Sequence, residues 1–272
     1  MALRAAHDGA NVVIAAKSDK PHRILPGTIH SAAEAIVQAG GKALAVAMDV
    51  RDEAAVEQAV TRAVEHFGGI DICVNNASAI ALSSTPETSL KKFDLLHQVN
   101  VRGAFAVSRA CLPHLRRATN PHILTLSPPL TLRPDWFASH LAYTMSKYGM
   151  SMVMLGLAEE LRPDGIACNC LWPRTTIATA AIEFGLCASG LIRHSRKPEI
   201  MADAAAWLLS QPSRELSGCF LLDEECLARA GITDLDPYAV ELGRPLQTDL
   251  FVAAPAQPDS APDGTAIPRW VG

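Results

Sequence analysis

Tyr143 and Lys147 are the two side chains of this sequence whose types and spacing point most directly to chemistry. They stand in the string Tyr143-Thr-Met-Ser-Lys147, and a spacing of four places both on one face of a helix. A phenol has a reference pKa near ~10, and an ammonium group one turn away stabilises the phenolate and lowers that pKa. A phenol tuned in this way can exchange a proton with a substrate oxygen. The same spacing arises by chance, as an interface tyrosine beside a solvated lysine, so its meaning depends on context.

Other polar residues follow directly after predicted strands. In an open parallel sheet, ligands bind beyond the carboxyl ends of the strands. That rule selects for inspection Lys17, Asp49, Asn75, Asn76, Ala77, Ser127 and the segment after Leu171. Asn100 lies in the helical region that follows the third predicted strand.

The composition is that of a folded chain without an obvious charged partner. Of the 272 residues, 49% are hydrophobic, and the net charge is −4. This apolar fraction excludes disorder of the whole chain, and the mild charge gives no electrostatic footprint for nucleic acid. No apolar run approaches the ~20 residues of a membrane span, and the first residues lack the apolar segment of a signal peptide. The seven cysteines lack the spacing of a metal site, so we expect buried thiols in a cytoplasmic protein and no metal.

Apolar runs alternate with helical patterns, which predicts an α/β fold with parallel strands and right-handed crossovers. The predicted strands are the runs 11–16, 43–48, 70–74, 122–126, 166–171 and 219–222. Helices are predicted from a capping box at 31–34 to 40, over 52–67, from an N-cap at Thr85 and then over about 89–117, and over 138–162 and 199–210. The strands are near-continuous apolar runs, as expected for a sheet that helices cover on both faces. Residues 1–254 are predicted to form a single domain, and residues 255–272, with four prolines in eighteen residues, a flexible tail.

The order and spacing of these residues resemble the short-chain dehydrogenase/reductase family over about residues 9 to 225. The resemblance is carried by Asn75-Asn-Ala77 after a strand that ends Asp71-Ile-Cys-Val74, and by Asn100, Ser127, Tyr143 with Lys147, and Pro173. Within the family, the strings Asp49-Val-Arg-Asp52, Leu171-Trp-Pro173 and Asp236-Pro-Tyr-Ala-Val240 resemble the hydroxysteroid dehydrogenase-like branch.

The resemblance implies a Rossmann-type doubly wound sheet and an NAD(P)-dependent oxidoreductase that acts on the carbonyl or alcohol of an apolar, lipid-like small molecule. It gives Tyr143 the role of general acid in reduction and of base in oxidation. Lys147 would lower the pKa of Tyr143 and hydrogen-bond the nicotinamide ribose, and Asn100 would hold a water in a proton relay to Lys147. Asp49 would accept a hydrogen bond from the adenine amino group, or it is a plain helix-capping residue.

Further roles follow from the same resemblance. Asn76 and Ala77 would border the cofactor through their backbone, while Asn75 would link neighbouring strands. Lys17 favours NADP, because a cation after this strand suits a 2′-phosphate whereas an acidic residue suits NAD. NAD stays open as the alternative, as does an exposed Lys17 that binds no ligand. The family also implies homodimers or homotetramers, formed through the helices 89–117 and 138–162.

Two loops depart from the family pattern. Ser127 precedes Tyr143 by sixteen residues, more than is usual, and Pro128-Pro129 follow it. Either Ser127 points into the site as the serine that polarises the substrate carbonyl, or Pro128 holds the usual position. In the exit loop, Pro173-Arg174 replaces the usual Pro-Gly. Ile177 and Thr179 would then contact the nicotinamide amide and the pyrophosphate, shifted by one residue.

The glycine-rich motif T-G-x3-G-x-G does not occur in this sequence. Its glycines make the turn after the first strand, where backbone N–H groups hold the pyrophosphate. We therefore expect an N-terminally truncated sheet that lacks this strand and loop and has unpaired strand edges at its centre. Two functions remain open: the oxidoreductase, and a non-catalytic truncated homologue that acts as a binding or oligomerisation module.

Overall fold

The computed structural model describes residues 1–21, 27–180, 182 and 190–253. Its strands are β1 (Asn11–Ala16), β2 (Lys42–Ala47), β3 (Ile72–Asn75), β4 (His122–Thr125), β5 (Ala167–Trp172) and β6 (Phe220–Leu222). Its α-helices are α1 (Ala2–His7), α2 (Ile29–Gln38), α3 (Glu53–Phe67), α4 (Leu90–His97), α5 (Gly103–Leu115), α6 (Pro134–Ala138), α7 (Leu141–Glu160), α8 (Glu199–Ser210) and α9 (Asp223–Arg229). The predicted alternation of strands and helices is confirmed, and the proposed tail, 255–272, lies outside the described residues.

Two predicted helix starts are wrong. Thr28, not Ser31, is the N-cap of α2: its hydroxyl accepts from the Ser31 amide at 3.1 Å, and the Ser31 hydroxyl accepts from the Thr28 amide at 2.8 Å. Thr85 lies in a turn of its own, and Ser89 caps α4 by accepting from the amide of Lys92. Serine and threonine can fill several positions of a first turn, so the sequence alone does not tell the N-cap from the third helical residue.

The six strands form two parallel sheets in the described part of the chain. One sheet pairs β1 with β2, and the other has the order β3-β4-β5-β6. No hydrogen-bonded strand among the described residues joins β1 to β3, so each has an open edge. Ile72 and Val74 on β3 are each 39% exposed, which is high for apolar strand residues and fits the open edge of β3.

Helices cover both faces of the four-stranded sheet. On one face, Ile123 and Cys168 pack against Leu115 of α5 and Met154 of α7. On the other face, alternate residues of the same strands contact α8 and α9, as Leu124, Leu171, Ile200 and Leu227 show. Each fully buried aliphatic side chain contributes roughly 1.5–3 kcal/mol to folding. The two apolar faces confirm the doubly wound, Rossmann-type arrangement.

The cysteines of the described residues are free thiols. Five are buried, Cys219 is partly buried, and Cys187 lies outside the described residues. Burial raises the pKa of the Cys168 and Cys170 thiols to about 12, so both stay protonated at neutral pH. Within the described ranges, no three His, Cys, Asp or Glu residues form a metal-binding group, and no helix is long and apolar enough to cross a membrane.

Asn75 ties the carboxyl end of β3 to its neighbours. Its Nδ2 group donates to the Ser108 hydroxyl of α5 at 2.9 Å and to the Thr125 hydroxyl of β4 at 3.1 Å. All three side chains are buried. These contacts link β3 to β4 and to α5, which is the role that the resemblance implies for Asn75.

Replacing Asn75 by alanine tests this link. Asn75→Ala removes the donor shared by two buried hydroxyls, so we expect the free energy of unfolding to fall by about 1–3 kcal/mol. Urea unfolding measures the change. Asn76→Ala is the matched control, because Asn76 is exposed and its loss is expected to stay within about 0.5 kcal/mol. Equal losses in the two variants would contradict the assignment.

Candidate active site

Tyr143 and Lys147 lie on the first two turns of α7, where the helix begins at the carboxyl ends of β4 and β5. Both are buried, with 4% and 2% of their surface exposed. The Lys147 ammonium donates to the carbonyl oxygen of Leu126 at 2.6 Å and lies 4.9 Å from the centre of the Trp172 ring. A carbonyl after β4 and an aromatic face at the end of β5 thus hold this cation.

Burial shifts the pKa of both groups away from the charged form. It lowers the pKa of Lys147 to about 7. Burial, together with the nearby carboxylate of Asp249, raises the pKa of Tyr143 well above its ordinary value. The net shift of the Tyr143 pKa is therefore upward, because loss of water dominates it. The Lys147 ammonium group is directed at Leu126, and the lowering of the Tyr143 pKa by Lys147 stays a prediction.

Asn100 reaches α7 from a π-helical turn, Gln98–Arg102, between α4 and α5. Its Nδ2 group donates to the Ala79 carbonyl at 3.0 Å and to the Ser146 hydroxyl at 2.9 Å, and its Oδ1 accepts from the Ala79 amide at 2.7 Å. The Ser146 hydroxyl donates in turn to the Tyr143 carbonyl at 2.8 Å. The sequence predicted an uninterrupted helical region here. Single π-helical turns occur frequently at functional sites.

Ser127 is fully buried beside the site, but its hydroxyl does not face Tyr143. It donates to the Cys170 sulfur on β5 at 3.2 Å. The next residue, Pro128, accepts at its carbonyl from the Ser151 hydroxyl of α7 at 2.7 Å. The backbone after Ser127, at the two prolines, therefore lies against α7. The catalytic role of Ser127 stays a prediction.

Asp49 and Lys17 lie at the ends of β2 and β1. Asp49 accepts from the backbone amide of Arg51 and from its guanidinium, both at 3.0 Å. The Arg51 guanidinium, with a smaller contribution from Lys17, lowers the pKa of Asp49 to about 2. Asp52, not Asp49, caps α3, which removes the plain capping interpretation of Asp49. Arg51 is a further candidate site residue, to which no motif in the sequence assigns a role.

A cavity of about 80 Å³ lies at the ends of β1, β2 and β3. Its walls include Ala15, Met48, Val50, Asn76, Ala77 and Gly103. Asn76 and Ala77 are exposed and face this space from the loop after β3. The structure therefore brings these two predicted cofactor-binding residues to the same edge as Lys17 and Asp49.

The exit loop after β5 continues this edge. Pro173 is partly buried, Ile177 is buried and Thr179 is exposed. The Arg174 guanidinium forms an ion pair with Glu224 at 3.0 Å, so its charge is already balanced within the protein. The Thr175 hydroxyl is buried and has no hydrogen-bond partner among the described residues.

Asp249 and Phe251 complete the surroundings of Tyr143 from the C-terminal part of the chain. Burial raises the pKa of Asp249 to about 7. Phe251 is 2% exposed, and its ring centre lies 6.2 Å from that of Tyr143. No local motif in the sequence marks either residue, and only the fold brings them here.

A protein-family model described as enoyl-(acyl carrier protein) reductase matches residues 1–222. The chain belongs to the short-chain dehydrogenase/reductase family. Its resemblance to the hydroxysteroid dehydrogenase-like branch is also confirmed. The chain is 56% identical over 252 residues to hydroxysteroid dehydrogenase-like protein 2 from Danio rerio, a match that covers 93% of this chain and 60% of the relative. The chain thus spans about 60% of the length of this curated relative.

Solved structures support the same family. The crystal structure of a short chain dehydrogenase from Mycobacterium thermoresistibile is 53% identical, with a TM-score of 0.88, and the match covers 95% of this chain and 91% of that one. A metagenomic short-chain oxidoreductase solved in complex with NADP is 25% identical, with a TM-score of 0.65, over 81% of this chain and 88% of its own. Membership in a family of oxidoreductases is therefore confirmed.

The burial of Lys147 predicts a specific dependence of stability on pH. The pKa of this lysine is lowered on folding from its ordinary ~10.4 to about 7. Between these values the unfolded chain binds more protons than the folded chain, so this group makes stability rise with pH across that window. Below about pH 7 both states carry the charge and the full cost of burying it is present.

Lys147→Met removes this dependence. We expect the variant to be more stable than the wild type by on the order of a few kcal/mol near pH 6, with the gain shrinking toward pH 10. Urea unfolding at several pH values measures the difference. Lys91→Met, at an exposed position of α4, is the control and is expected to follow the wild type throughout. A gain for Lys147→Met that does not vary with pH would contradict the assignment.

Proposed function

We propose that the chain is an NAD(P)-dependent oxidoreductase that transfers a hydride to or from the carbonyl or alcohol carbon of an apolar, lipid-like substrate. The observation that carries the proposal is the placement of Tyr143 and Lys147 at the carboxyl ends of β4 and β5. The chain's membership in the short-chain dehydrogenase/reductase family supports this reaction class. The relatives named hydroxysteroid dehydrogenase-like support an apolar substrate.

The residues along the carboxyl edge fit a nicotinamide dinucleotide. Asp49 would accept from the adenine amino group, and the cations Lys17 and Arg51 beside it favour a 2′-phosphate and hence NADP. The NADP complex of the metagenomic relative supports this choice, with NAD as the alternative. The cavity after β1–β3 leaves room beside Asn76 and Ala77.

The nicotinamide end fits the opposite part of the same edge. Lys147 would hydrogen-bond the ribose, and Pro173, Ile177 and Thr179 would border the nicotinamide and pyrophosphate. The unpartnered hydroxyl of Thr175 offers a polar contact in this loop. The sequence contains no T-G-x3-G-x-G turn, so the backbone N–H groups of such a turn are the part of a dinucleotide site that these residues do not supply.

The dinucleotide, when bound, supplies or accepts the hydride. Tyr143 moves the proton: its phenol donates to the carbonyl oxygen in reduction, and its oxygen accepts the proton in oxidation. The phenol of Tyr143 is protonated at neutral pH, as a donor must be, but its raised pKa makes it a weaker acid, so proton transfer requires this pKa to fall when substrate and dinucleotide are bound. Asn100 acts as a positioning residue, because its bond to Ser146 fixes the turn of α7 that carries Tyr143. It also holds the water of a proton relay to Lys147.

The exposed face of α5 and α7 supports assembly into a homodimer or homotetramer. Apolar side chains on this surface include Phe105, Met145, Met152 and Leu155, each between 42% and 55% exposed. The free thiols support a cytoplasmic location, where disulfides rarely form.

NADPH binding separates the enzyme from a non-catalytic homologue. We expect NADPH fluorescence to report binding by this chain, and tighter binding by a version with a strand and a T-G-x3-G-x-G turn joined before Met1. Lys17→Glu is expected to weaken NADPH binding by about tenfold and to leave NADH unaffected, because it repels the 2′-phosphate. Binding by the extended version alone would support the non-catalytic interpretation of the 272 residues.

The proton-transfer role of Tyr143 is tested by its phenylalanine variant. Reduction of cyclohexyl methyl ketone by NADPH is expected to slow by about 10²–10⁴-fold in Tyr143→Phe, with NADPH affinity unchanged. Tyr238→Phe is the matched control, since this tyrosine donates to Asp203 of α8 at 2.6 Å, away from the site. Full activity in Tyr143→Phe would rule out the proposed role.

A further inference from the structure

The last described residues return across the carboxyl end of β5. We call residues 247–252 the strap. Four hydrogen bonds join it to the rest of the described chain. The Thr176 amide donates to the Gln247 carbonyl at 2.9 Å and the Gln247 amide to the His194 carbonyl at 2.8 Å, while the Asp249 amide donates to the Arg174 carbonyl at 3.0 Å and the Trp172 indole to the Leu250 carbonyl at 2.8 Å. Apart from one antiparallel bridge between Thr175 and Thr248, the strap belongs to no regular element.

The strap places the Phe251 ring at the centre of an aromatic cluster. The distances between its ring centre and those around it are 5.5 Å for Tyr148, 6.0 Å for Trp172, 6.2 Å for Tyr143, and 6.3 Å for both Trp136 and His140. Separations of this size are those of packed aromatic pairs. Phe251 therefore fills a pocket walled by α6, α7 and the end of β5.

The backbone at Phe251 is in a strained conformation. Its φ of 67° is the one positive φ of a non-glycine residue in the described part of the chain. A bulky side chain rarely adopts this region, and such a conformation persists only where the surroundings enforce it. The aromatic pocket enforces this conformation, so packing of the Phe251 ring and the hydrogen bonds together hold the strap in place.

The buried phenol of Tyr143 conflicts with access by a substrate. A substrate oxygen must come within hydrogen-bond reach of this phenol, yet only 4% of the residue is exposed. The other walls of the pocket belong to α7 and β5, which are packed into the core, and to α6, whose Trp136 carbonyl accepts from the Thr144 hydroxyl of α7 at 2.7 Å. The strap has few bonds and no regular structure, so it is the part that can move aside at the lowest cost.

We propose that the strap is an internal plug of the active site, and that the apolar body of the substrate takes the place of the Phe251 ring. This inference rests on the proposed function and deepens it. It assigns the substrates to carbonyl compounds, and the matching alcohols, that carry a hydrocarbon ring or branch of at least phenyl size next to the reacting carbon. Because the closed form must open before such a compound binds, the plug lowers its apparent affinity by the fraction of open protein.

A reversible crosslink tests whether the strap must move. Thr175 and Thr248 face each other as a non-hydrogen-bonded antiparallel pair, for which Cα atoms lie about 4.5 Å apart, a spacing that accepts a disulfide. In T175C/T248C, binding of cyclohexyl methyl ketone is followed by tryptophan fluorescence without any dinucleotide. We expect oxidation to weaken binding by at least about tenfold, and reduction to restore it. Unchanged affinity in the fully oxidised protein would overturn the proposal.

Removal of the plug gives the opposite expectation. Phe251→Ala is expected to bind the same ketone about tenfold more tightly than the wild type, while Phe251→Leu stays near it. Leu242→Ala, at a position 68% exposed, is the control and is expected to show no change. A folded Phe251→Ala variant that binds no more tightly would also overturn the proposal, and if it fails to fold, the crosslink decides. Ketone binding is measured separately from turnover. If binding responds to the crosslink and to Phe251→Ala as expected but NADPH never reduces the ketone, the proposed function is refuted and the role of the strap is not.

Discussion

The ammonium group of Lys147 is buried at the ends of β4 and β5, where the Leu126 carbonyl is its one backbone acceptor within the described residues. That position requires α7 to begin at this edge of the sheet, which brings Tyr143 to the same place one turn earlier. Loss of water then sets the charges of the site: the lysine titrates near neutral pH, and the phenol remains protonated. A site built in this way keeps the Tyr143 phenol protonated and makes the charge of Lys147 sensitive to any anionic or polar group that binds beside it.

Two buried amides keep this edge in register. Asn75 joins β3 to β4 and α5, and Asn100 joins the loop after β3 to α7 through Ser146. Each amide satisfies hydroxyl or backbone groups that would otherwise be buried without partners, a loss of about 1–3 kcal/mol for each such group. The π-helical turn around Asn100 follows from the same requirement, since it carries the amide to Ala79 within the run from α4 to α5.

Much of this fold can be read from the sequence, because its signals are local. The strands were predicted to within two residues, since each is an apolar run, and a spacing of four correctly placed Tyr143 and Lys147 on one buried face. Two of the features that were missed depend on distant parts of the chain, and a third, the cap of α2, is local. Burial, together with the Asp249 carboxylate of the strap, raises the Tyr143 pKa, and the Ser127 hydroxyl donates to Cys170 on the neighbouring strand. The cap of α2 was misplaced because Thr28 and Ser31 bond each other reciprocally.

The most direct test of the account follows the hydride itself. The chain is incubated with cyclohexyl methyl ketone and NADPH that carries deuterium at the transferred position of nicotinamide C4, and the alcohol is analysed by mass spectrometry. We expect one deuterium on the carbinol carbon with the wild type, and almost no labelled alcohol in the same time with Tyr143→Phe. Unlabelled product, or equal labelling by both proteins, would contradict a hydride transfer that depends on the Tyr143 proton.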